Sequence, residues 1–581
     1  MANARRGARP VPSPIFFRGV RVASQPMRTT KRSAMTQPAN TVAERPGALR
    51  FAWLDAAWRR PAVVGALILA LLGPAAALRI YDLTGKDIWV DEANGILMAR
   101  SGLRGLLEHL KLDSSPPLYY LLLGAWMRLF GDSEAAVRSL SVVAGVVTAG
   151  AVLAIGWRLF GKTTGLLGAV LVAVAPTHVF YSQQARMYTL LGLLGLLSSY
   201  WLWCAIEYGH RRHLFAYALA TLGALYTHNF AMHLLPAHAL ILLWSGAWKR
   251  QWKRWAICGL AIATAYLPWL PVFLGQLNNP RQYAWYARFW DKWGIWGAVR
   301  GTLFSFSPGE PRPFYQLAET PAISYSPVLL CGLTLLTGLL LTFAGISANN
   351  ARIRRAAWLT GATALPLLAA LCTSLLSTPN YVGGRVDQMV YPSFALLLAV
   401  ALSGIRFGFL QRVWTAARYV LAAVLVYNSC AGLAHLYGNQ LSDGDRALAR
   451  AIASKARPGD AVVFTGLTRA PVEYYLTRWN TPATLFSYPR EAAAHLGNLD
   501  ATALANQPAL LQAEVNALQE ELRACPPHAQ VFVVFTNEPM NDVLGSYLSL
   551  PEQRRRWKVL GKFRGAGVRG EALLLLLRPP W

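Results

Sequence analysis

The sequence predicts an α-helical polytopic membrane protein of about 11 transmembrane helices, closed by a C-terminal soluble α/β domain. Three observations predict it. Of 581 residues, 54% are apolar and only 14% charged, against about 25% charged in an ordinary soluble domain. Apolar blocks close to the ~20 residues that a bilayer needs recur between residues 62 and 437. Beyond 437 the pattern changes to short strand-like and helical stretches in alternation. This composition excludes an ordinary soluble enzyme, and the apolar excess excludes a disordered chain.

The net charge of +28 suggests nucleic acid until it is divided along the chain. Residues 1–50 carry +9, residues 438–581 carry +3, and residues 51–437 carry the remaining +16. Most of the excess lies among apolar blocks, where basic residues label the cytosolic side of a membrane protein. Nucleic acid is therefore not expected as a partner.

Residues 1–58 read as a basic, disordered cytosolic tail. The first 50 residues contain no apolar h-region, and no apolar run follows Arg5-Arg6, so neither a cleavable signal nor a twin-arginine signal is expected. Met27 and Met35 offer alternative starts. The six cysteines, at 204, 258, 331, 372, 430 and 525, form no CxxC and no pairing pattern, and are expected to be buried free thiols.

The membrane domain is expected over residues 59–437. Span 1 is 62–80, with Arg59 and Arg60 inside. Span 2, 138–159, runs back to Arg158 and Lys162. Residues 81–137 then form an outer loop. Its apolar stretch, Pro117 to Phe130, is 14 residues, short for the hydrocarbon core, and is expected as a helix at the interface. Counting it as a span would invert everything after it.

The remaining spans alternate: 165–180, 189–206, 214–227, 231–248, 255–275, 327–347, 356–377, 389–403 and 419–437. Arg211-Arg212, the cluster from Lys249 to Arg254, Arg352 to Arg355, and Arg406 with Arg412 all fall inside. Residues 276–326 form a long aromatic outer loop. The N-terminus is then cytosolic and the C-terminal domain, 438–581, exocytoplasmic, in an inner (plasma) membrane.

In that domain a helical stretch at 443–456 precedes the strand 461–465. An amphipathic helix at 501–523 precedes the strand 531–535, and strands near 557–564 and 571–577 close the chain. Gly565, Gly567 and Gly570 formally make GxGxxG. A strand rather than a helix follows, so a glycine-rich hairpin turn is expected rather than a dinucleotide site.

Three blocks in the outer loops carry chemistry. The first holds Asp91-Glu92, about ten residues past span 1. Carboxylates near a bilayer tend to face a cavity or a partner, and one there can accept a proton from a hydroxyl nucleophile. The plainer reading is a solvated loop. The second, Asp113-Ser-Ser-Pro116-Pro117-Leu-Tyr119-Tyr120, reads as a helix start with interfacial tyrosines. The third, Tyr181-Ser-Gln-Gln184-Ala-Arg186-Met-Tyr188, puts an arginine on the outer side against the positive-inside bias. Arg385 and Arg138 break the bias in the same way. Guanidinium groups there can grip a phosphate, or simply pair with acids such as Asp387. His228 lies at the outer end of span 5, and His233 and His238 follow at spacing five, which does not put three ligands on one helical face.

Taken in order, Trp89-Val-Asp91-Glu92-Ala93, Pro116-Pro117-Leu-Tyr119-Tyr120, Arg138-Ser-Leu-Ser, the Tyr181 to Tyr188 block, Thr227-His228 and Pro268-Trp269-Leu-Pro271 form a set. The set resembles the GT-C glycosyltransferases that use polyprenyl-phosphate sugars. These include protein O-mannosyltransferases, lipid A aminoarabinose transferases and lipopolysaccharide galacturonosyltransferases.

The resemblance implies a GT-C fold with interfacial helices in loop one. It implies inverting transfer of a sugar from a polyprenyl-phosphate donor to a hydroxyl of an envelope glycan, lipid or protein at the outer face. Asp91 would be the general base, with Glu92 beside it. Arg186, Arg385 and Arg138 would bind the donor phosphate, and Tyr119, Tyr188, His228 and Gln184 would bind substrate. A divalent cation, if any, would sit at Asp91 and Glu92. Tyr188 stands where many relatives carry a second acid, and Ser115 where close relatives carry a His before Pro-Pro-Leu-Tyr-Tyr, which leaves acceptor and metal dependence open.

Two other classes compete. A transporter or lipid flippase usually shows midplane polar groups and internal repeats, which are not evident here. A non-catalytic protein with a partner-binding soluble domain leaves Asp91-Glu92 and the outer arginines unexplained.

Overall fold

The computed structural model describes residues 61–308, 351–404, 411–438, 444–465, 469–490, 506–535, 558–567 and 570–578, with Gly332, Leu336 and Leu544. The basic tail, Cys331, residues 309–326 of the expected loop 276–326 and most of the expected eighth span at 327–347 lie outside the described residues.

From Pro61 to Gly438 the described chain is helical. The helices are α1 (Pro61–Ile80), α2 (Val90–Arg100), α3 (Gly102–Leu112), α4 (Leu118–Phe130), α5 (Glu134–Phe160), α6 (Lys162–Val174), α7 (Pro176–Ser182), α8 (Tyr188–Tyr208) and α9 (Arg211–Thr227). A 3₁₀ turn, Asn229–His233, leads into α10 (Leu234–Trp244), then α11 (Ala247–Tyr266), α12 (Leu270–Leu277) and α13 (Pro280–Phe306). After α14 (Ala351–Leu376) a second 3₁₀ turn, Val386–Met389, precedes α15 (Tyr391–Gly404) and α16 (Gln411–Gly438).

Among the described residues, α5, α8, α14 and Tyr419–Gly438 are long and apolar enough to cross a bilayer. Two expected spans are broken: α6 and α7 meet at 62°, α11 and α12 at 74°. Proline causes the first break. Pro176 has no amide to continue α6 and takes the first position of α7, where none is needed. The expected spans at 62–80, 231–248 and 389–403 correspond to the shorter apolar helices Ile68–Ile80, Asn229–Trp244 and Tyr391–Ser403, and that at 214–227 to α9. Helix α4 has 13 residues, only ~20 Å of rise, and with α2 and α3 it fills loop one.

Arg79, at the end of α1, is fully buried. Its five N–H groups meet Ser182 Oγ (3.1 Å), the carbonyls of Ala75 (2.8 Å), Ala173 (3.0 Å) and Val172 (3.0 Å), and His178 Nδ1 (2.9 Å). Val172 and Ala173 belong to the last turn of α6, whose carbonyls have no helical partner. Arg79 therefore fastens the break that leads to Arg186. Gly145 makes room for it, since a Cβ there would lie 2.8 Å from Arg79 Nε and 2.3 Å from Ser182 Oγ.

The C-terminal domain contains α17 (Asp445–Ala453), β1 (Asp460–Thr465), α18 (Arg469–Arg478), β2 (Ala483–Tyr488), α19 (Pro508–Arg523), β3 (Val531–Phe535), β4 (Lys558–Gly567) and β5 (Gly570–Arg578). Strand order is β2-β1-β3-β5-β4. The first three run parallel, and β5 and β4 are antiparallel additions at one edge. Leu511, Val515, Leu518 and Leu522 form the buried stripe of α19. Helix α18 and strand β2 are additions to the elements expected from sequence. Gly567 pairs with Gly570 across the β4–β5 hairpin, so the GxGxxG joins two antiparallel strands. The described cysteines are free; Cys204 and Cys258 are buried, whereas Cys372 and Cys430 are exposed rather than buried as expected.

Candidate active site

Asp91 and Glu92 open α2, where the N-terminal dipole favours acids. Consecutive helical residues project about 100° apart, and the two carboxylates accordingly meet different fates. Glu92 is fully buried. Its Oε2 lies 2.7 Å from Arg138 Nη2 and its Oε1 2.9 Å from Arg138 Nε, a bidentate pair. Oε1 also accepts the Ala185 amide at 2.7 Å.

Arg138 spends its three other N–H groups on the carbonyls of Leu83 (2.7 Å), Lys86 (2.9 Å) and Asp87 (2.9 Å). It keeps no donor for a phosphate. Its place in the fold is to tie loop one to α5, which departs from the phosphate-binding role expected of it.

Asp91 is partly exposed. Its Oδ2 lies 2.5 Å from Arg385 Nη2 and 3.9 Å from Arg186 Nη2. Arg186 also donates to the Asp91 carbonyl (3.1 Å) and to Tyr120 Oη (3.2 Å). Its Nε is buried without a partner among the described residues. A buried donor left unmet is costly, about 1–3 kcal/mol, and an anion at this point would satisfy it. Arg385 pairs with Asp91 and not with Asp387, the acid suggested by sequence proximity. These contacts bring the start of α2, the turn before α8 and the turn before α15 to one place.

Tyr188, at the start of α8, lies between the two guanidinium groups, 5.9 Å from Arg186 and 5.4 Å from Arg385 to the ring centroid, and its hydroxyl accepts from Arg385 Nε. The turn bearing Arg385 packs against α8 at two glycines. A Cβ on Gly192 would lie 2.8 Å from the Gln388 carbonyl, and one on Gly195 2.6 Å from that of Met389. Asp387 Oδ2 accepts from the Gly384 amide (2.8 Å) and Ser305 Oγ (3.1 Å), shaping the same turn. Burial pushes its carboxyl up to about 6.

The two tyrosines of α4 also diverge. Tyr119 is buried and hydrogen-bonded to Ser141 Oγ (2.9 Å), which in turn donates to the Arg186 carbonyl (2.9 Å). It supports the arginine from behind; Tyr120 touches it. Of the two tyrosines in this block the resemblance implies Tyr119 for substrate, whereas Tyr120 makes the contact with Arg186, because sequence alone does not fix the helical phase of two adjacent tyrosines.

His228 sits beside Tyr188, ring centroids 6.1 Å apart. Its Nδ1 accepts the Phe230 amide at 3.0 Å, so in the neutral ring Nε2 carries the proton. Burial, then the charges of Arg385 and Arg186, lower its pKa to about 3. Gln184 is buried, with Oε1 unpartnered among the described residues.

The donor set at Asp91-Glu92 does not fit a divalent cation. Arg138 and backbone amides occupy Glu92, which leaves the single carboxylate of Asp91 facing two guanidinium groups. No group of three or more metal-ligating side chains occurs among the described residues.

The chain is similar to ArnT from Cupriavidus metallidurans in the apo state, with 13% identity and a TM-score of 0.56 over 88% of this chain and 98% of that one. The fold is of the GT-C type.

ArnT bound to undecaprenyl phosphate matches with 14% identity and a TM-score of 0.51, over 90% and 98% of the two chains. The Archaeoglobus fulgidus oligosaccharyltransferase tethered with an acceptor peptide matches with 11% identity and a TM-score of 0.51, over 90% of this chain and 74% of that one. The family described as dolichyl-phosphate-mannose-protein mannosyltransferase matches residues 114–273. A search of curated proteins by sequence finds no match. The family match contains Tyr119, Arg138, Arg186 and His228. Within the GT-C fold, Asp91 and Arg385 lie outside that segment and join the site through space.

Proposed function

We propose that this protein is a membrane glycosyltransferase that moves a sugar from a polyprenyl-phosphate donor to a hydroxyl of an envelope glycan, lipid or protein. The reaction takes place at the outer face of the inner (plasma) membrane, with the C-terminal domain on that side. One observation carries the reading: Asp91, at the start of α2 in a GT-C fold, meets Arg385 and Arg186, the two guanidinium groups that flank Tyr188. ArnT with undecaprenyl phosphate supports the donor class.

In the proposed reaction the acceptor oxygen attacks the anomeric carbon and gives its proton to Asp91. The bond from that carbon to the phosphate oxygen breaks, and configuration inverts. The departing lipid phosphate gains negative charge as the bond breaks. Arg385 and the unpartnered Nε of Arg186 stabilise it; one such donor is typically worth 10²- to 10³-fold in rate. A phosphate oxygen at Arg385 also draws that guanidinium from Asp91 Oδ2, leaving the oxygen for the acceptor hydroxyl. Neutral His228 offers Nε2–H to the same region. Glu92 and Arg138 hold the loop.

The test is transfer of label from polyprenyl-phosphate sugars to envelope extracts in proteoliposomes. Turnover that requires Asp91 supports the reading. Absence of turnover across a panel of such sugars, with lipid translocation in its place, would establish the flippase alternative.

A further inference from the structure

Loop one hangs between two arginines. Arg138 holds it from the membrane domain through the carbonyls of Leu83, Lys86 and Asp87. Arg446, in α17 of the C-terminal domain, holds it from the other side. It donates to the carbonyls of Thr84 (2.9 Å) and Lys86 (3.1 Å) and pairs with the Asp87 carboxylate at 3.2 Å. The Lys86 carbonyl accepts from both arginines.

Tyr475, in α18, completes the grip. Its hydroxyl accepts the Ile88 amide at 2.9 Å and donates to Glu134 at 2.5 Å. Arg446 reaches the same Glu134 carboxylate at 2.9 Å. The Ile88 bond lies three residues before Asp91.

We propose that Arg446 and Tyr475 are positioning residues: the docked C-terminal domain fixes the loop that aims Asp91 at the acceptor. The inference rests on the reading of Asp91 as general base. It gives the soluble domain a part in catalysis in addition to any role in acceptor choice. A loop held at both sides keeps its carboxylate within reach of the reacting atoms, and misplacement by about 1 Å costs on the order of 10²-fold in rate.

The test uses the full-length protein in nanodiscs, as wild type, Tyr475→Phe, Arg446→Ala and Arg446→Lys. Tyr475→Phe keeps the ring and removes only the hydroxyl, so the fold is retained. Hydrogen exchange across residues 84–91 is expected to rise about tenfold in Tyr475→Phe and more in Arg446→Ala. In transfer assays kcat is expected to fall ~10- to 100-fold, with KM for the polyprenyl-phosphate sugar within about twofold, and Arg446→Lys to recover part of the loss. Loop exchange unchanged in both Tyr475→Phe and Arg446→Ala overturns the proposal, as does a loss that tracks only the amount of folded protein. If the wild type transfers no sugar, the proposed reaction fails instead, and the exchange measurement still decides whether the domain holds the loop.

Discussion

Asp91 Oδ2 and Arg385 Nη2 lie 2.5 Å apart, although 294 positions separate the two residues in the chain. The acid opens α2 in loop one, and the arginine precedes the 3₁₀ turn ahead of α15. The proton acceptor and the anion binder of the proposed reaction thus stand as an ion pair, with Arg186 3.9 Å from the same oxygen. In that proposed reaction an incoming phosphate would compete with Asp91 for one guanidinium, which would couple donor binding to release of the carboxylate.

Asp91→Asn is expected to lower transfer by about 10²- to 10⁴-fold, the usual contribution of a general base. The amide keeps the size of the side chain and its place at the helix start, so membrane insertion should be unchanged. Turnover per folded enzyme measures this, and wild-type turnover in the variant would remove Asp91 from the mechanism.

Arg385→Ala is expected to cost ~10²- to 10³-fold in kcat, as loss of one stabiliser of transition-state charge does. Arg385→Lys should fall between, because an ammonium keeps the charge but lacks the planar fork that meets Asp91 and Tyr188 together. Tyr188→Phe removes one hydrogen bond to Arg385 and should cost about three- to tenfold. Equal activity for Lys and Arg at 385 would mean that charge alone matters there.

Much of this site was legible in the sequence, and the limits are physical. Arg186 and Arg385 stood out because they break the charge bias in loops that the sequence assigns to the outer side. Asp91 stood out as an acid in a loop close to the bilayer. The sequence does not say which of two adjacent side chains faces the cleft: Asp91 does and Glu92 does not, and Tyr120 rather than Tyr119 touches Arg186. Arg138 broke the same bias as the other two arginines, but its donors go to Glu92 and to backbone carbonyls that no local pattern reveals. Nothing local marks Arg79 at the end of an apolar run, since its partners on α6 and α7 lie about a hundred residues away. In the C-terminal domain, β1 and β3 were readable as dense apolar runs. Helix α18 was not, because its ten residues mix aliphatic and tyrosine side chains with Arg469, Glu473 and Arg478 and carry a proline at Pro471.

His228 supplies a test by pH. Its folded-state pKa is lowered to about 3, whereas an unfolded histidine titrates near 6.5. The unfolded chain therefore binds the extra proton first, and the protein should lose stability as pH falls from about 6.5 toward 3. His228→Gln should lack that part of the acid loss, measured as thermal stability against pH in the same lipid. Gln also keeps an N–H donor near the position of Nε2, so it should retain more transfer activity than His228→Ala.

The pair Glu92–Arg138 separates a structural role from a phosphate-binding one. Both side chains are buried, and removing one partner of such a pair typically costs about 3–5 kcal/mol. Arg138→Ala and Glu92→Gln are therefore expected to lower the yield and melting temperature of folded protein. Affinity for polyprenyl phosphate, measured on the fraction that folds, should stay near the wild-type value. Arg138→Lys should rescue little, because an ammonium has three N–H groups where the guanidinium satisfies five acceptor contacts. The opposite pattern, normal stability with weakened polyprenyl-phosphate binding, would return Arg138 to the donor site and require loop one to open far enough to expose it.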